Sequence, residues 1–181
     1  MWELPSIQRA EPTQRRCALD TCGELRESDT VREMTGNNDK LVGTWKLVSA
    51  SSSDASGVQL EPPYGTDPVG FLTYTQDGRV TALISYGGRK PLSIGAKPPA
   101  LLEEQAEAFR TFLAYGGRYR LDADKLIHFI EISSIQNYVN RELIRRVKFE
   151  SHQLVLSTPP TMVNGKMQII ELVWERLESG V

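Results

Sequence analysis

Between Leu41 and Leu177 one strand-forming segment follows another. The first opens Leu41-Val42-Gly43-Thr44-Trp45-Lys46-Leu47-Val48-Ser49, and the last closes on Val173-Trp174-Glu175-Arg176-Leu177. A Trp leading the first strand and an Arg ending the last supply the partners that can join the two edges of one sheet. Closure is the one arrangement that leaves no edge unpaired. A closed sheet is a container, so the question becomes what it holds.

Side-chain parity sets the rest of the frame. In the first strand, 41–51, Trp45, Leu47 and Ser49 share the face read as interior. The runs 70–75 and 79–84 flank Gln76-Asp77-Gly78, a three-residue hairpin loop with Gly78 in the left-handed position. That register sets Tyr74 against Val80 and Leu72 against Ala82 on the inner face. From about 99 to 114 the period becomes helical, with Pro99 at the first helical position, Leu101/Leu102, Ala108/Phe109 and Phe112/Leu113 recurring, and Gly116 as terminator. This single helix is read as a plug over one end of the barrel or as a lid at its mouth. Strands resume at 117–121, 125–134, 141–150, 153–158 and 166–177, making eight in an all-β, antiparallel up-and-down meander. Eight strands is the size that can close around one small ligand.

The 181 residues suit one barrel domain, 39–178, preceded by a polar leader, 1–38. Residues 1–33 carry seven acidic and five basic side chains with no sustained periodicity, which predicts disorder, and Met34 is an alternative start. Cys17 and Cys22 match neither a disulfide framework nor a zinc site. With 21 basic against 23 acidic residues there is no field to draw nucleic acid or an anionic membrane. The absence of a long apolar run or signal peptide sets the expectation of a soluble cytoplasmic protein, monomer or homodimer. His128 and His152 are the only histidines, too few for a multi-histidine metal site, and no phosphate loop or nucleophile elbow is present. Neither a metal nor a cofactor is expected.

What remains is an apolar interior with isolated polar groups, the usual make-up of a small-molecule site. Pairing Leu121 with Leu126 and Tyr119 with His128 places Leu126, His128, Ile130 and Ile132 on one face, Leu143, Arg145, Val147 and Phe149 on the next strand, and Gln168, Ile170, Leu172, Trp174 and Arg176 along the last. Leu47, Ser49, Leu72, Tyr119, Ile130, Val147, Gln168 and Ile170 are the expected ligand-lining set, with Tyr74, His128 and Arg145 the candidates for chemistry. Each has a structural alternative. His128 could be a core histidine bonded to Tyr119, Tyr74 a wall residue, and Arg145 paired to a glutamate or displaced by an inward Arg146. Trp45 with Arg176 is read as the seal of the barrel base, outside the site.

The ordered set Leu41–Ser49, Tyr64-Gly65 with Pro68 and Gly70, Leu72-x-Tyr74 with Asp77-Gly78-Arg79, Tyr115-Gly116-Gly117-x-Tyr119, His128, Arg145, Leu154-x-Leu156 and Trp174-x-Arg176 resembles the lipocalin-like domain family of the calycin superfamily. The likeness runs from about 40 to 177. It implies a ligand-holding barrel and, since similar proteins include natural-product cyclases of the Diels-Alderase type, a cofactor-independent cyclase or isomerase acting on a hydrophobic intermediate. In that reading Arg145 and Tyr74 donate to a substrate carbonyl while His128 shuttles a proton. The alternative is a non-enzymatic carrier or sensor of a small hydrophobic ligand. A barrel filled by its own side chains is the third class.

Overall fold

A computed structural model describes residues 38–93, 101–163 and 165–178; the leader, Met34 and Pro99 lie outside them. The elements are β1 (Gly43–Asp54), β2 (Val69–Tyr74), β3 (Arg79–Ser85), α1 (Leu102–Arg110), β4 (Phe112–Asp122), β5 (Lys125–Ser133), a 3-10 turn at Gln136–Tyr138, β6 (Glu142–Glu150), β7 (Gln153–Ser157), β8 (Thr161–Val163) and β9 (Lys166–Arg176). Successive strands from β1 to β7 pair antiparallel, β7 then pairs with β9, and β1 pairs with β9 through Trp45 opposite Arg176 and Leu47 opposite Trp174. Eight strands, β1 to β7 and β9, thus form the closed barrel. The three-residue β8 is a flap hairpinned onto the start of β9, with Thr161 opposite Gln168. Three residues after a Pro-Pro pair carry no readable alternation, which is why the sequence gives no sign of this strand.

Both hairpin registers read from the sequence are present: Tyr74 faces Val80, Leu72 faces Ala82, Leu121 faces Leu126 and Tyr119 faces His128. Gly78 has φ +81°. Two bulges correct the parity elsewhere. In β1 the register shifts between Leu47 and Ser49, so Val48 and Ser49 are both exposed and the inner face continues through Ala50 and buried Ser52. In β5 the register shifts opposite Gly116 and Gly117, which sends Ile132 outward at 70% exposure. One extra residue turns every later side chain to the opposite face.

The helix is shorter than its periodicity suggests. It ends at Arg110, and Phe112 and Leu113 already pair with Ser85 and Ile84 in β4, where Gly116 is a strand residue and no terminator. The spacing of Leu113, Tyr115 and Tyr119 satisfies strand alternation as well as helical recurrence, and the sheet wins because it satisfies the backbone of β3. No side chain of α1 is buried, and Leu102 is 78% exposed. The helix fills no part of the barrel. It is held instead to the strand-exit segment, where Ser93 donates from N and Oγ to Glu104 and Arg89 donates to the Ala108 carbonyl. It is not long and apolar enough to cross a membrane, and neither is any other helix of the described residues.

The base is sealed from the first strand outward. Trp45 Nε1–H donates to the Leu41 carbonyl at 2.9 Å, tucking the helical turn at 38–41 under the barrel with Leu41 fully buried. Arg176 lies 4.2 Å above the Trp45 ring and donates to the carbonyls of Val42 and Lys40. Above this seal Leu47, Leu72, Tyr74, Val80, Leu126, Leu154 and Trp174 pack into one core. The lower barrel is therefore filled by its own side chains.

Candidate functional site

In an up-and-down meander alternate connections come to the same end. The connections after β1, β3, β5 and β7 leave from the end opposite the Trp45 seal. There a cavity of about 370 Å³ opens, walled by Leu113, Leu143, Leu156, Ile170 and Leu172 and rimmed by Tyr64, Tyr138, Glu142 and Pro159. Tyr115 and Arg145 reach into it from β4 and β6. The volume falls in the range that encloses a small organic molecule, and the lining follows the usual recipe of apolar walls with few polar groups.

Arg145 stands on the inner face of β6 between Leu143 and Val147, half-buried, while Arg146 is exposed on the outer face. Its Nη1 donates to the Ile144 carbonyl at 2.8 Å, and among the described residues no carboxylate pairs with it. Below it the imidazole of His128 is fully buried, with Nε2 2.8 Å from the Tyr74 hydroxyl and Nδ1 3.0 Å from the Tyr115 hydroxyl. A neutral imidazole has one donor and one acceptor nitrogen, so one tyrosine donates to the ring and the other accepts from it. Burial first, and then the nearby Arg145 charge, pull the His128 pKa down to about 3. The ring is neutral at physiological pH and both its nitrogens are occupied. Burial likewise pushes the Tyr64, Tyr74 and Tyr115 hydroxyls above the ordinary phenol range, with Arg145 partly opposing the shift.

The residues read from the sequence divide accordingly. Arg145 and Ile170 line the cavity. Tyr74 and His128 lie beneath it in a closed polar cluster, and Tyr119 lies lower still, its hydroxyl donating to the Thr75 carbonyl at 3.0 Å and its ring edge-on to Tyr74. His128 is thus tied to Tyr74 and Tyr115, not to its cross-strand neighbour Tyr119. Leu47, Leu72 and Ile130 are core, and Val147 packs against that core. Gln168 accepts from Ser52 Oγ at 2.9 Å and lines an adjoining groove of about 420 Å³ with Leu60, Pro62 and Ile170. Ser49, expected inside, faces out. Tyr64, Tyr115 and Tyr138 belong to the lining and lie outside the set read from the sequence. Tyr64 and Tyr138 sit in connections, where no strand parity marks them, whereas Tyr115 could have been found by carrying the Tyr119 alternation back two turns of the pleat.

A larger groove of about 680 Å³ lies outside the barrel between 87–92 and α1, bordered by Arg89 and Lys90 on one side and Glu103, Glu104 and Glu107 on the other. Charges of both signs line it and no buried polar group points into it. The barrel-end cavity is the stronger site.

Comparison with known proteins agrees with the barrel. A family model described as a lipocalin-like domain matches residues 42–177. The 4'-hydroxy-3'-methoxypropiophenone carrier protein of Aspergillus oryzae is 33% identical over 84 residues, which is 41% of this chain and 76% of that one. Among solved structures, a variant of the fluorescent protein UnaG aligns over 76% of this chain and 96% of its own at 12% identity and a TM-score of 0.34.

Proposed function

The chain belongs to the lipocalin-like domain family, and from that premise we propose that it is a reversible carrier of a small, oxygen-bearing aromatic metabolite held at the open end of the barrel. The observation that carries this reading is the contrast within one barrel: a lower half filled by its own side chains, and an upper half enclosing about 370 Å³ with apolar walls, two rim tyrosines and a single inward cation. The named cargo of the Aspergillus relative, a phenolic ketone, is of the size and polarity such a chamber accepts. Tyr64 and Tyr138 have no hydrogen-bond partner for their hydroxyls among the described residues and are placed to meet a ligand oxygen at the rim.

The test is calorimetric titration with 4'-hydroxy-3'-methoxypropiophenone and a series of related aryl ketones, followed by recovery of the ligand and its mass spectrum. Saturable binding with the ligand returned unaltered is expected. Lack of saturable binding across the series up to millimolar concentration would reject the carrier.

Catalysis of a cyclisation or isomerisation is the second reading, favoured by one observation, that Arg145 and Tyr115 both line the cavity. Those donors could polarise a carbonyl, and confinement of a flexible substrate could contribute a share of the roughly 7–11 kcal/mol available from ideal positioning. A proton shuttle through His128 has no support in the geometry, since neither ring nitrogen faces the cavity. Incubation with polyene or quinone-methide precursors that bind, compared with buffer for rate and stereochemistry, separates the two readings.

A further inference from the structure

The charge balance of the cavity goes further than its shape. Arg145 is the cation of the inner wall, and the groups beneath and beside it on the interior are neutral: His128 has both nitrogens engaged by tyrosines, and the phenols of Tyr64, Tyr74 and Tyr115 are held protonated by burial. Elsewhere on this protein arginines of the surface find carboxylates, as Arg79 and Arg118 do on Glu131 and Arg110 does on Glu107. Glu142 also borders the cavity, but from the exposed, opposite-parity face of β6, and it forms no ion pair with Arg145. A half-buried guanidinium with, among the described residues, its neighbour's carbonyl as sole acceptor leaves most of its five N–H donors unspent. The group that satisfies such a fork best is an oxyanion.

Resting on the reading of this cavity as a ligand site, we propose that it takes its ligand as an aromatic oxyanion, a carboxylate or phenolate on a planar ring, with the charge seated on Arg145 and the ring among Tyr64, Tyr115 and Tyr138. The apolar walls formed by Leu113, Leu156 and Leu172 exclude the water that would otherwise screen the pair. The rim tyrosines supply flat faces for the ring. A neutral ligand of the same shape leaves the guanidinium's charge without a counterpart.

The experiment compares 2-naphthoate with 2-naphthamide at fixed neutral pH, using calorimetry on the full chain, its Arg145→Met variant and its Arg145→Lys variant. The carboxylate is expected to bind about tenfold or more tightly than the amide, in line with a charge-assisted hydrogen bond. In Arg145→Met that preference vanishes while the amide keeps its affinity, and in Arg145→Lys part of the preference survives. Equal binding of the two probes, tighter binding of the amide, or a preference that persists in a folded Arg145→Met protein overturns the proposal while leaving the carrier intact. If neither probe binds and the aryl ketones do not bind either, the carrier falls with it. The wild-type comparison decides even if a variant fails to fold.

Discussion

The hydroxyl of Tyr74 lies 2.8 Å from Nε2 of His128, and because Tyr115 holds Nδ1 at 3.0 Å the imidazole has no nitrogen left for solvent or ligand. Three side chains from three strands form a polar unit whose removal in part is worse than its removal whole. Tyr74→Phe leaves a buried ring nitrogen without a partner and is expected to cost about 1–3 kcal/mol of stability, read as a shift in the urea midpoint. Tyr74 does not border the cavity, so ligand affinity should stay within about threefold of wild type. A large loss of affinity in a stable variant would return Tyr74 to the site.

The same unit sets a pH dependence. The His128 pKa is about 3 in the folded protein against an ordinary value of 6.5. Below 6.5 the unfolded chain takes up a proton that the folded chain refuses, so stability falls as pH falls, by up to about 1.4 kcal/mol per unit. Between pH 7 and 5, above the range where most carboxylates titrate, the expected loss is about 2 kcal/mol. Denaturant titrations at pH 7, 6 and 5 measure it, and His128→Gln should flatten the slope even if that variant is less stable throughout.

At the base, Gly43 has φ +135°, and a Cβ placed there would run into Arg176 Nη1. Gly43→Ala is expected to destabilise by about 1–3 kcal/mol through both backbone strain and displacement of the guanidinium. In an Arg176→Ala background the second cause is gone. The double-mutant cycle should show coupling of at least about 0.5 kcal/mol, and simple additivity would mean that the two groups do not meet.

The helix makes the opposite prediction. Leu102 and Phe109 are 78% and 60% exposed, so Leu102→Gln and Phe109→Gln should each change stability by less than about 0.5 kcal/mol and leave binding intact. A collapse in thermal stability would show that the helix packs into the barrel as a plug.

Filling the chamber tests its place directly. Ile170 sits on the cavity wall, half-buried, and Ile170→Trp should abolish binding of any ligand seated there while the circular dichroism of the barrel is unchanged. Undiminished binding in that variant would move the site to the outer groove beside α1.

The barrel was legible because alternation and turn chemistry leave little freedom. Once Gln76-Asp77-Gly78 fixes one hairpin, Tyr74, Leu72, Val80 and Ala82 must share a face, and Leu121–Leu126 does the same for His128 and Tyr119. The errors sit where one residue is inserted. Nothing in the composition of Val48 or Glu131 marks a bulge, so Ser49 and Ile132 were assigned inward by a count that is correct up to the residue before them. The site was only half legible for a related reason. Arg145 lies on a regular strand and its direction follows from parity, whereas the rim residues Tyr64 and Tyr138 stand in connections whose path depends on the packing of the whole end. The partners of His128 could not be read from its own strand pair, because Tyr74 and Tyr115 meet it across the interior.

The long connections that follow β1, β3, β5 and β7 leave from one end of the barrel, and the tight turns and the Trp45–Arg176 contact stand at the other, which separates two demands that usually compete. Substitutions at the seal are judged by whether the sheet closes, and substitutions at the mouth by what the chamber admits. A new specificity can then be sought at the mouth, in Tyr64 and Tyr138 on the connections and in Arg145 and Ile170 on the strands, while the seal is left as it stands.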